Sequence, residues 1–137
     1  MVVRQRRRRA ATIVESAVVY PVLMLFVIGL IVAALGVFRY QELASLSREG
    51  ARWASVRGAK YAASTGNAPA TDSDVFNQAI QPRAVILDPA NLNYSVTWNP
   101  DNRQGSTVTV TLTYNWVPEA FLGGITLSST STMTISY

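Results

Sequence analysis

The chain has 137 residues, enough for one compact domain beside a terminal segment. It has neither cysteine nor histidine, which excludes a disulfide framework, thiol chemistry, the usual near-neutral acid/base and the commonest metal ligand. The net charge of +4 is unevenly placed: residues 1–60 hold ten Lys/Arg against three Asp/Glu, residues 61–137 two against five. The basic excess sits at one end and the rest is acidic, so nucleic acid is not an expected partner.

Residues 1–10 form a basic head in which Arg4, Arg6, Arg7, Arg8 and Arg9 crowd together. A lone acid, Glu15, follows, and then Ser16 to Phe38 carries no charge. That uncharged run, about 34 Å as a helix, is long enough to cross a bilayer. It is too long for a cleavable secretory signal, whose apolar core is about 7–15 residues. Residues 11–40 therefore read as a transmembrane helix closed by Arg39 and Tyr40 at the far interface. Arg6, Arg7, Arg8 and Arg9 set the topology: the head is cytoplasmic and everything after Arg39 lies outside. Membrane lipid is the first expected partner. Pro21 lies inside the helix, where it frees a backbone carbonyl. Gly29, Ala33 and Gly36 form a small-residue stripe that would let helices approach closely, as in a homo-oligomer. Glu15 has two readings: a boundary acid at headgroup level near Arg8 and Arg9, or a functional carboxylate at the membrane edge.

Helical character continues beyond the membrane over residues 41–63, an external stalk. One continuous helix is expected from about Thr12 to about Ala62. Leu43, Leu46, Gly50 and Trp53 recur at three- and four-residue spacing, and Trp53 is expected to pack with Leu46 and Gly50 on the apolar face of a sheet. Residues 64–137 form the distal domain. Thr71 or Asp72 caps a short helix that Pro82 limits, and Asp88-Pro89 is a further break. The period then changes to two. Leu92, Tyr94, Val96 and Trp98 alternate with polar residues, as do Val108, Val110, Leu112, Tyr114 and Trp116. A third run carries Leu127, Met133, Ile135 and Tyr137 on one parity and threonines on the other. The fold class is thus α+β and membrane-anchored: a long N-terminal helix packed on a small three-stranded antiparallel sheet, with one short extra helix.

No nucleotide-binding, metalloprotease or serine-hydrolase motif is present. Abundant serines and threonines have no histidine and one lysine, Lys60, as a base. Asp72 and Asp74 suit a helix N-terminus better than calcium. The chain reads as a non-enzyme without a cofactor or a metal site.

The stretch RRRRAATIVESAVVYPVLMLF and the later block Arg48, Glu49, Gly50, Ala51, Arg52, Trp53 and Ala54 resemble the TadE-like family of tight-adherence pilus systems. The alternating strands are similar to the family's usual ending. The resemblance implies a pilin-like fold and the role of a minor pseudopilin in the bacterial inner membrane. It implies pilin-like subunits, a pilus assembly platform and a prepilin peptidase as partners. Cleavage would fall between Ala10 and Ala11, where Ala10 stands in place of the usual Gly. Glu15 would then be the fifth residue of the mature chain and would set helix register during assembly. A binding domain anchored in the envelope, outside any filament, is the other reading.

Overall fold

The computed structural model describes residues 3–118 and 123–137, with side chains from Ile13 onward. The side chains of Arg6, Arg7, Arg8, Arg9, Ala10 and Ala11, on which the topology and cleavage expectations rest, lie outside the described residues. Two compact units divide the chain at Leu35/Gly36.

Helix α1 runs over Val3–Ser55 and continues through Pro21. It differs at both ends from the expected Thr12–Ala62 span. The head is helical as well, and the distal end stops seven residues early. After Val56–Gly58 a separate short helix, α2 (Ala59–Thr65), begins. The break is made by the chain's own C-terminal residues. Ser136 N–H donates to the Ser55 carbonyl at 2.9 Å, and Gly58 N–H donates to the Tyr137 carbonyl at 2.9 Å. Ala59 N–H donates to the Asn102 carbonyl at 2.7 Å. These partners take over from the i→i−4 ladder, so the helix ends without a proline. A Cβ on Gly58 would stand 2.7 Å from the Tyr137 carbonyl oxygen and 3.0 Å from that of Asn102. Only glycine lets the two backbones meet there.

A second helical segment covers residues 72–83. Its first turn, Asp72–Asp74, is capped by Thr71 in a reciprocal capping box with Asp74. The segment widens to a π-helix over Val75–Ile80 and closes in a 3₁₀ turn, Gln81–Arg83, around Pro82. Three strands follow in an antiparallel meander: β1 (Leu92–Asn99), β2 (Thr107–Trp116) and β3 (Ile125–Thr134), with β2 central. Residues Val96, Val110 and Ser131 stand in one row of the register. The period of two places Val108, Val110, Leu112, Tyr114 and Trp116 on the buried face. Their alternates form an uncharged hydroxyl face on which Thr109 pairs with Thr132 and Thr111 with Thr130, at 2.9 and 3.0 Å. The third strand is shorter than its parity suggested. It ends at Thr134, and Ile135 turns into the core while Ser136 and Tyr137 bind the end of α1 and Gly58.

Within the second unit the core lies between the distal part of α1, the 72–83 helix and the buried sheet face. Leu43, Ala51, Ala54, Val75, Ala79, Ile80, Val108, Val110 and Leu112 are fully enclosed. The architecture is α+β: a long N-terminal helix packed on a three-stranded antiparallel sheet with short helices.

Candidate functional site

α1 carries every residue singled out for assembly, and its two stretches differ in surroundings. From Ile13 to Ile31 the large apolar side chains are all exposed, from 44% at Val27 to 80% at Phe26. Glu15 is exposed in this stretch and has no hydrogen-bond or ion-pair partner among the described residues. Gly29 has open space where a Cβ would be, and Ala33 is exposed. α1 is the one helix, among the described residues, long and apolar enough to cross a membrane.

Gly36 is different. A Cβ there would lie 2.7 Å from Cζ3 of Trp116, so this glycine is already covered by an indole of its own chain. The Arg39 guanidinium sits over the same indole, 4.9 Å from the ring centroid. Of the stripe Gly29, Ala33 and Gly36, the first two are open and the third is used in the fold.

Further along, Leu43, Leu46, Ser47, Gly50, Ala51 and Ala54 form the contact stripe. A Cβ on Gly50 would touch Ile80 at 3.2 Å and Val110 at 3.4 Å, so glycine admits both helix and sheet side chains. Ser47 Oγ meets Ser129 Oγ on β3 at 3.0 Å. Trp53 is not in this core, contrary to expectation. It is half-buried, with the Arg57 guanidinium 4.2 Å from its ring centroid. At about 100° per residue Trp53 falls about 80° from Leu43, whereas Ala54 falls within about 20°. The spacing i, i+3, i+4, i+7 therefore selects alanines and a serine in preference to the large Trp53 side chain. Glu42 was also missed: its Oε1 accepts the N–H groups of Val85 and Ile86 at 3.0 and 3.1 Å, which holds the loop before β1 on α1.

The charged members of the Arg48–Ala54 block lie on the outer side of the stripe. Glu49 accepts two hydrogen bonds from Arg52, at 2.9 and 3.1 Å, and stands 3.5 Å from Arg83 on the 72–83 helix. The Arg52 hydrogen bond, against an opposing effect of burial and aided by the charges of Arg52 and Arg83, holds the Glu49 carboxyl below its ordinary value. The small residues of the block thus form the helix–sheet contact, and its charges clamp the neighbouring helix.

Residues 10–52 match the family model for TadE-like protein. The matched segment is α1 from the end of the basic head through Glu15, the apolar run and the contact stripe up to Arg52. It stops before Trp53, so the sheet and the short helices lie beyond it. Neither the curated proteins nor the solved structures yield a match to the chain.

Proposed function

We propose that this protein is a pilin-like assembly subunit, a minor pseudopilin, of a tight-adherence pilus. The observation that carries the reading is the TadE-like match over residues 10–52. It falls on a helix whose proximal side chains are bare and whose distal stripe holds a small domain. In this reading the helix is inserted once in the bacterial inner membrane, with the arginine head in the cytoplasm and the sheet domain outside. A prepilin peptidase cuts between Ala10 and Ala11 and creates an α-amino group four residues before Glu15. Among the bare apolar side chains of a helical bundle, an unpaired carboxylate is disfavoured. The amine of an adjacent subunit is the partner of opposite charge, and one stagger alone brings the pair together. Glu15 thereby sets axial register.

Three measurements test this. In intact spheroplasts, external protease is expected to degrade the sheet domain; protection until lysis overturns the topology. The N-terminus of the native protein is expected at Ala11. Glu15→Ala is expected to insert in the membrane and fail to support filaments recovered by shearing, with Glu15→Asp partly active. Normal filaments from Glu15→Ala reject the register role and favour an anchored binding domain.

A further inference from the structure

A cleft of about 370 Å³ opens where α1 ends, lined by Trp53, Arg57, Tyr61, Asn67, Asp74 and Gln78. That is within the range of small-ligand sites, about 300–1,000 Å³. Its chemistry is mixed in a particular way. Arg57 is held with its guanidinium 4.2 Å from the Trp53 ring centroid and 5.8 Å from that of Tyr61. It donates one long hydrogen bond, 3.4 Å, to the Trp53 carbonyl. No carboxylate pairs with it among the described residues. The other five cations of residues 36–137 outside α1's Arg39 differ in this respect only in part: Arg52, Arg83 and Arg103 each have a carboxylate within ion-pair distance. Arg57 is thus fixed by stacking, with donors left over for a ligand.

The facing wall is polar. Asp74 uses Oδ2 to accept from Thr71 N–H and Oγ1, which leaves Oδ1 as an acceptor without a partner among the described residues. The same two Thr71 bonds hold its carboxyl below its ordinary value, so it stays ionised. Asn67 and Gln78 add exposed amides with both donors and acceptors. One anchored cation, one acceptor-only carboxylate, two amides and two aromatic rings suit a ligand with one carboxylate and several hydroxyls. An acidic peptide would bring carboxylates to Arg57 but few hydroxyls to Asp74, Asn67 and Gln78, and a purely apolar ligand would bury the Arg57 donors without partners.

We propose that this cleft binds an acidic sugar, a uronate unit of a glycan, with the carboxylate on Arg57 and hydroxyls on Asp74, Asn67 and Gln78. The site stands apart from the assembly role of Glu15 and does not depend on it. It would give the external domain a means of holding an acidic polysaccharide surface.

The test titrates the full chain in lipid nanodiscs with trigalacturonate, its methyl ester and triglutamate. Saturable binding of trigalacturonate is expected, about tenfold or more tighter than the ester, since esterification removes the charge from the hydrogen bonds that Arg57 donates. Arg57→Gln is expected to weaken it to the same degree. Gln78→Glu, at an exposed position, places a negative charge at the mouth and is expected to weaken it with an unchanged melting temperature. The proposal is overturned if trigalacturonate shows no saturable binding, if triglutamate binds as well, or if folded Gln78→Glu binds like wild type.

Discussion

Two stretches of one helix solve opposite problems. Between Ile13 and Ile31 the apolar side chains surround α1 on every side and all are exposed. Between Leu43 and Ala54 the apolar and small residues keep to one stripe, and that stripe is buried. An all-round apolar helix needs a lipid or protein surround, whereas an amphipathic one needs a single partner surface. The second stretch finds that surface within its own chain. The glycines register the same contrast. Gly29 has nothing near its missing Cβ, while Gly50 is filled by Ile80 and Val110 and Gly58 by backbone carbonyls. In one stretch small residues leave room for something else; in the other the room is already taken.

The contrast breaks most sharply if equivalent leucines are exchanged. Leu43 is fully buried and Leu30 is 69% exposed. Leu43→Ala is expected to destabilise the domain by about 2–5 kcal/mol, and Leu30→Ala to leave domain melting in detergent unchanged. Equal effects, read by thermal unfolding of the near-ultraviolet circular dichroism, would erase the distinction. Next in size is Gly58→Ala. The added methyl meets backbone oxygens that cannot rotate away, and a cost of about 1–3 kcal/mol is expected. A neutral result would mean that the C-terminal residues do not clamp the end of α1.

A smaller effect is expected at Trp53, which lies at the edge of the buried stripe. A fully enclosed aromatic costs about 3–5 kcal/mol when cut to Ala; half-buried under Arg57, Trp53→Ala should cost about 1–2 kcal/mol. A loss in the larger range would place the indole in the core. The smallest effect is acidic. Glu49, Asp74 and Asp101 all have lowered carboxyl pKa values, chiefly through hydrogen bonds from Arg52, Thr71 and Ser106. A lowered folded value means that these contacts stabilise fully above the ordinary carboxylate range and are lost as pH falls through the folded values. The domain's melting temperature should therefore hold from neutral pH to about 5 and decline below about 4. Glu49→Gln should flatten part of that decline.

What could be read from the chain alone was set by period and charge. Twenty-odd uncharged residues after an arginine cluster need no tertiary information to announce a helix that fits a bilayer. Strict alternation from Thr107 to Trp116 likewise announces a strand with one buried face, and Thr71 or Asp72 announces a cap, which the fold gives to Thr71. These are local patterns, in which each residue's role follows from neighbours within a few positions. The positions that went astray depend on contacts distant in sequence. The end of α1 at Ser55 is decided by Ser136 and Tyr137, some eighty residues away, competing for its carbonyls and for the Gly58 amide. Gly36 looked like part of an intermolecular stripe until Trp116 filled it. Trp53 looked like core because it is large, but close helix–sheet approach is governed by the smallest side chains, and Gly50, Ala51 and Ala54 took the buried face. Arg57 carried no local pattern at all; only the convergence of α1, α2 and the 72–83 helix gathers it with Asp74 and two aromatic rings into a cleft.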